Sequence, residues 1–564
     1  MIKVTRRDVL VLGAAAVATT LVGGCTPLVK RPAAPGGGGA RAAEGAQVLE
    51  VQWIQKELNG LQAKLRSYNG QVPGPTIYAR PGEALHIRVK NSLTPYDSSG
   101  WTGDHNVPHE LNTTNLHTHG LDVAPHLFSP LGTSDPGAEM IHIMPGESYD
   151  YVFELPDDHP AGLFWYHPHH HGSTAVQAVS GMAGAIIVKG AIDEVPEIKA
   201  ARDILLAIQD IGLFPSDTEP DIWTYEPKQN AIWQSFSGEV TIYDPQTKQA
   251  VVQPDLKGGF TTGDYKERFY LLNGEPFFQE THANSVGGKP PVPTPTQLGV
   301  QQIELAPGEV LRFRVLNGCS DNLMPIVVDG HEVHLLALDG VNFPAPRTIP
   351  VYEGTTGNGQ VLLAPANRAE FLVQAGEPGT YAIRELAQDE QFLSSAGKVI
   401  AEIVVAGPAK KMGLPSELPL PTRYYPLIDK VSKQRTLEFA GMFPATLNPY
   451  VGGDFTINGV LYDEGTVAQE VALGDAEEWI LKVGDMDHGG TEGHPFHIHV
   501  NHFEVISIDG VAQPPGTIQD TIWIPKSSEV VIRMKYKDFK GKAVYHCHIL
   551  PHEDTGMMQN FLIQ

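Results

Sequence analysis

The feature that most limits what this chain can fold into is an internal repeat, in which a turn, a spacer and a strand of alternating polarity recur three times. Asn69-Gly70 is followed by Pro81-Gly82-Glu83 and then Leu85-His86-Ile87-Arg88-Val89. Asn273-Gly274 leads to Pro307-Gly308-Glu309 and Leu311-Arg312-Phe313-Arg314-Val315, and Asn458-Gly459 leads to Leu473-Gly474-Asp475 and Trp479-Ile480-Leu481-Lys482-Val483. Apolar and polar residues alternating with period two predict half-buried strands, one face on a core and one in water. Each unit closes on a second strand that follows a glycine: Gly162 to His167, Gly379 to Arg384 and Gly541 to His546. The outer two strands end in histidine and the middle one in arginine. Metal chemistry is therefore expected between the first and third units, with the middle unit as a spacer.

A chain of 564 residues with 58 Gly and 45 Pro has turns enough to separate many short strands. The expected fold is all-β: three tandem Greek-key β-sandwiches at 48–190, 200–407 and 420–564. The net charge of -25 repels phosphate backbones, so nucleic acid is not an expected partner.

The first 25 residues predict an export signal. Arg6-Arg7 forms a twin-arginine pair ahead of the apolar run from Val9 to Val22, which is short and rich in Gly and Ala. The run ends Leu21-Val22-Gly23-Gly24-Cys25 and resembles a bacterial lipobox, which would leave a lipid on Cys25; a plain cleavable signal is the alternative. Residues 26–47, rich in Gly, Ala and Pro, form a flexible tether, and no other segment is expected to cross a bilayer. The expected location is the periplasm or cell surface. With Cys25 in the signal, Cys319 and Cys547 remain. Disulfides are thus not the framework, and Cys319, in apolar surroundings, is expected to be a buried structural thiol.

Four histidine clusters stand out: His117-Thr-His119, His167-Pro-His169, His494-Pro-Phe-His497-Ile-His499, and His546-Cys547-His548 with His552 and Met557 beyond it. In a strand, residues i and i+2 face one side and i+1 the other. The pairs His117/His119, His167/His169, His497/His499 and His546/His548 can therefore converge on one pocket of eight imidazoles, enough for three copper ions. Cys547 must then face away, where His494, His552 and Met557 complete the thiolate, two-imidazole and thioether set of an electron-transfer copper.

These four segments resemble the multicopper oxidases, the family of laccases, bilirubin oxidase and the bacterial copper efflux oxidases, over residues 48–564. The resemblance implies three cupredoxin-like domains and four copper ions. Carried over position by position, it makes His494, Cys547, His552 and Met557 the type 1 ligands. His117 and His497 become the type 2 ligands, and His119, His167, His169, His499, His546 and His548 the type 3 ligands. It further implies electron transfer from a small reductant at His494, through Cys547 to His546 and His548, with dioxygen reduced to water. A methionine axial ligand places the type 1 potential low in the family range. Glu553 and Asp135 match the family's proton-handling acids.

His170 breaks the period-two pattern and His171 falls beyond the ligand positions, so neither is expected to be a ligand. His331 and His334 are expected to be structural, and His488 and His502 exposed. The leading expectation for substrate is laccase-like, with phenols and aromatic amines oxidised by a monomer. The alternative is oxidation of cuprous ion, which in the family accompanies a Met-rich insert not found among the 11 Met here. A non-catalytic scaffold is a third reading, disfavoured by the complete ligand set. Membrane contact is expected only through the lipid at Cys25.

Overall fold

The computed structural model describes residues 46–98, 105–106, 108–216, 218–225, 240–244, 249–253, 266–282, 293–354, 358–388, 395–442, 454–483 and 493–564. Arg6, Arg7, Cys25, nearly all of the expected tether and His488 lie outside the described residues.

The repeat read from the sequence appears as the same turn built three times. Asn69 and Gly70 (φ 55° and 71°), Asn273 and Gly274 (49° and 91°), and Asn458 and Gly459 (54° and 74°) all adopt left-handed backbone. Two consecutive positive φ values match the twist of the flanking strands, which is why Asn-Gly is preferred there. Each asparagine side chain then ties the turn to an earlier strand of its own unit. Asn69 Oδ1 accepts from Glu50 N (2.6 Å), Asn273 Oδ1 from Ala207 N (2.9 Å) and Asn458 Oδ1 from Glu438 N (2.8 Å).

Three apolar cores follow the three units. The first holds Val51, Ile87, Val89, Phe153 and Ile186, the second Phe313, Val315, Ile326, Phe371 and Ile403, and the third Phe439, Trp479, Phe496, Ile532 and Tyr545. Strands Ala84–Asn91 and Ala476–Val483 alternate buried and partly exposed positions, as their sequences predict. The equivalent strand Val310–Asn317 is buried throughout. Its outer face is covered by the connector from the first unit: Arg312 and Arg314 bond Asp193, and Arg314 also bonds Asp203. Glu370 on the neighbouring strand closes the same network. Polar alternation there is a buried ion network, not a wet face. Cys319 is buried and unbridged, with burial pushing its thiol pKa up.

The first two units share a sheet. Strand Arg202–Pro215 pairs with Ile222–Thr224, which pairs in parallel with Leu61–Tyr68 of the first unit, making one 13-stranded sheet across both. His117, His119, His167, His494, His497 and His546 lie on strands of two smaller sheets, with His169, His499 and His548 just past the ends of the same strands. One runs Gly74–Ala79, Gly184–Val188, Gly162–His167, His117–His119. The other runs Val467–Val471, Met558–Ile563, Gly541–Cys547, His494–Ile498, Thr521–Ile524.

Candidate metal centre

Register brings the four clusters together in pairs. In the first unit His117 sits opposite His167, with Thr118 opposite Tyr166 and His119 opposite Trp165. In the third, His497 sits opposite His546 and Phe496 opposite Cys547. The two sheets then interdigitate: His117 stacks on His499 and His119 on His497, each with ring centroids 3.8 Å apart. His169 Nε2 lies 3.1 Å from His546 Nε2, which is 3.4 Å from His499 Nε2. All eight rings are buried.

Burial favours the neutral imidazole, the form that carries a lone pair. It drives the pKa values of His117, His119, His169, His497, His499 and His548 well below 6.5, and that of His167 to about 3. Hydrogen bonds then decide where each lone pair points. His167 Nδ1 donates to Pro168 O (2.8 Å), His497 Nδ1 to Asp520 O (2.9 Å) and His546 Nδ1 to Cys547 O (3.0 Å). His126 Nε2 accepts from the Thr118 backbone N–H at 3.1 Å, so the 3.0 Å bond beside it must come from His117 Nδ1. In these four rings Nε2 is left as the free base. His119 is reversed: Nε2 donates to Asp520 Oδ1 (3.0 Å), which leaves Nδ1. The atoms so freed, Nε2 of His117, His167 and His497 and Nδ1 of His119, are buried with no hydrogen-bond partner among the described residues. Unsatisfied buried nitrogens aimed at one another are costly unless a cation lies between them. Donating the other ring nitrogen to a fixed acceptor is how metal-ligating histidines are held.

Cys547 occupies the opposite face of its strand. Its Sγ lies 3.5 Å from His494 Nδ1 and 3.7 Å from His552 Nδ1, and the three form a second buried group able to hold a metal ion. The short helix Leu550–Asp554 returns His552 to the thiol, with Phe455 stacked on its ring at 3.8 Å. Met557 is fully buried in the same apolar cluster, and its carbonyl accepts the Cys547 N–H at 3.0 Å. One thiolate, two imidazoles and a thioether in an apolar shell suit copper, whereas the imidazole cluster suits copper in either oxidation state.

Three family models, each described as multicopper oxidase, match residues 50–192, 242–401 and 431–564. The chain belongs to the multicopper oxidases. A laccase of Haloferax volcanii is 27% identical over 93% of this chain and 82% of its own length. A multicopper oxidase of Staphylococcus haemolyticus is 24% identical over 87% and 82%. Among solved structures, a multicopper oxidase from Campylobacter jejuni described as a metallo-oxidase superposes with TM-score 0.63 at 23% identity, covering 92% of this chain and 90% of that one. A bacterial laccase-like multi-copper oxidase from Ochrobactrum sp. also gives 0.63 at 23%, covering 93% and 98%. These likenesses carry the fold, three cupredoxin-like units. This multicopper oxidase is a copper-dependent oxidoreductase that passes electrons from a reductant to dioxygen.

Of the two acids singled out by sequence, Glu553 stands inside the oxidase's centre: it is fully buried, 3.2 Å from His169 Nδ1 and 3.1 Å from His546 Nδ1. Asp135 does not reach it. Its side chain caps an exposed turn by accepting from Gly137 N (2.9 Å), and the Pro-Gly turn after it carries the chain along the surface. The position beside His117 is taken by His126, whose ring stacks on His117, and the acid beside the first-unit rings is Asp520. His494 is 1% exposed and His552 6%, so both imidazoles of the thiolate site are buried.

The middle unit is more than a spacer. Its Arg368, fully buried, bonds Asp520 through both oxygens (2.9 and 2.5 Å), the first-unit carbonyl of Leu163 (3.2 Å) and its own Ala366 O (3.1 Å). Asp339 accepts from the backbone N–H groups of Asp520 and Thr521, both at 3.2 Å. Arg368 and Asp339 thus set the segment that orients His119 and His497. His502 is buried too, contrary to its expected exposure, because its loop folds against Tyr424 (2.9 Å) and the Asp339 carbonyl (3.1 Å). His331 is structural as expected, bonded to Asp329 O and Gly376 N. His334 bonds Thr348 on the neighbouring strand. None of Asp520, Arg368, Asp339 or His126 carries a local sequence signal beyond His126's place in a histidine-rich segment.

Proposed function

We propose that this protein is a laccase-like oxidase holding four copper ions, one at Cys547 and three among the eight imidazoles. His494, Cys547, His552 and Met557 hold the first. His117 and His497 hold the type 2 ion, and His119, His167, His169, His499, His546 and His548 the type 3 pair. Bound copper supplies one-electron uptake at the thiolate and four-electron reduction of dioxygen to water at the cluster. The observation that carries this reading is that Cys547 Sγ faces His494 and His552 while its chain neighbours His546 and His548 join the imidazole cluster. Cys547 thereby links the two centres through covalent bonds. Glu553, between His169 and His546, is placed to hold and deliver a proton at the cluster without contact with bulk water. Asp520 keeps His119 and His497 turned inward.

Phenols and aromatic amines are the proposed reductants. No Met-rich insert precedes His494: residues 443–453 and 484–492 contain Met486 alone. The Campylobacter jejuni protein's description as a metallo-oxidase supports cuprous ion as the second reading. Dioxygen uptake by the copper-loaded protein decides between them. We expect kcat/KM on a dimethoxyphenol to equal or exceed that on cuprous ion; a cuprous value larger by orders of magnitude overturns the laccase-like assignment. The protein is proposed to act as a monomer, exported through the twin-arginine signal and lipid-anchored at Cys25. Arg6→Lys with Arg7→Lys should stop export, and Cys25→Ser should release the protein from membranes.

A further inference from the structure

A third group of metal-ligating side chains stands apart from the two copper centres. His142 Nδ1 lies 2.7 Å from His170 Nε2, and Glu110 Oε2 lies 3.8 Å from the same nitrogen. The ligand atoms of all three lie within 4.8 Å of one another. His170 is fully buried, whereas His142 and Glu110 are partly exposed, so an ion can reach the group from solvent.

The lone pair of His170 can be placed from its other nitrogen. Ser173 Oγ lies 3.2 Å from His170 Nδ1 and directs its own proton to a carbonyl, Thr113 O at 3.0 Å or His170 O at 3.3 Å. With its proton on a carbonyl it can accept from His170 Nδ1–H, the tautomer in which Nε2 carries the lone pair. That nitrogen faces His142, which can donate to it, but also the Glu110 carboxylate, which cannot. A cation seated among the three would take a lone pair from each of the two imidazoles and from the carboxylate, in place of the hydrogen bond between the two rings. Around a tetrahedral ion with bonds of about 2.0–2.2 Å, ligand atoms lie roughly 3.3–3.6 Å apart. The 2.7 Å and 3.8 Å separations bracket that spacing, within reach of small side-chain rotations.

We propose that Glu110, His142 and His170 form an additional site for a borderline divalent cation of the zinc or cupric type. Two imidazoles and one carboxylate disfavour calcium and magnesium, which prefer all-oxygen sets. The ion would tie together three segments that carry copper ligands. Glu110 begins the stretch leading to His117, His142 adjoins Ile143, which exchanges hydrogen bonds with Thr114, and His170 follows His169. It would therefore brace the first unit's half of the imidazole cluster.

The test uses the copper-loaded full-length protein and zinc chloride. After incubation and desalting, copper and zinc are counted per chain. We expect one zinc retained with copper unchanged, no retention of calcium, and loss of the zinc in the double variant Glu110→Gln, His142→Gln, which keeps its copper. Glu110→Gln alone should weaken zinc at least ~10-fold, a loss comparable to those at metal sites whose supporting groups are removed. The proposal is overturned if the wild type retains no zinc, if the double variant retains as much as the wild type, or if zinc enters only as copper leaves. Because the count does not depend on turnover, its failure would leave the oxidase reading untouched.

Discussion

Arg368→Met is the perturbation that bears most on how three units hold one cluster. The substitution roughly preserves side-chain volume and removes the guanidinium that faces two buried carboxylates, Asp520 at 2.5–2.9 Å and Asp339 at 3.5 Å. Stripping one partner from a buried pair costs about 3–5 kcal/mol. At a urea slope of about 3 kcal/mol/M this lowers the unfolding midpoint by about 1–2 M. The loss depends on pH in a definite direction. Burial, followed by the Asp520 charge, raises the Asp339 pKa to about 6, while Asp520, raised by burial, is held down to about 2 by Arg368. Without the guanidinium both carboxyls take up protons more readily, so protonation relieves the penalty at pH 5 and cannot at pH 8. Urea unfolding at the two pH values, with copper retention after chelator dialysis, measures both effects. We expect the larger loss at pH 8 and weaker copper retention, since Asp520 no longer fixes His119 and His497. A midpoint unchanged at both pH values, with copper fully retained, would refute the reasoning.

Further expectations concern single groups. Cys547→Ser should abolish the blue absorption and turnover while the cluster coppers stay bound; retained activity would break the assigned electron path. Glu553→Gln keeps the shape between His169 and His546 but cannot carry the proton, so kcat should fall about 10²–10⁴-fold at unchanged copper content, and a value within twofold of wild type removes Glu553 from the mechanism. Copper-free protein should lose stability as pH falls below 6.5, because His167 and His552, both held at about 3 chiefly by burial, stay neutral when folded and protonate when unfolded. Each contributes a loss of about 2.7 kcal/mol by pH 4.5. Melting curves of the copper-free protein should show this decline between pH 7 and 4.5, and a flat profile would contradict it.

What the sequence disclosed was local. The Asn-Gly turns were legible because two left-handed residues in succession leave few alternatives to that pair, and the histidine clusters because strand periodicity dictates which neighbours share a face. The buried character of Arg312 and Arg314 was not legible, since it depends on Asp193 and Asp203, more than a hundred residues earlier, folding over the strand. Asp520 and Arg368 were missed for the same reason: each is an ordinary charged residue until three units meet around it. Asp135 shows the converse error, in which a residue near the right place in sequence is carried off by an exposed Pro-Gly turn. His502, expected in water, is buried by contacts from Tyr424 and Asp339 that no window of neighbouring residues contains.

Anomalous diffraction at the copper edge from crystals of the copper-loaded protein tests the central claim most directly. The account predicts one peak bonded to Cys547 Sγ, His494 and His552, and three peaks among the eight imidazoles, with His546 and His548 bound to ions other than the one on the thiolate. A sulfur without copper, or a single ion bound to Cys547 together with either flanking histidine, would contradict it.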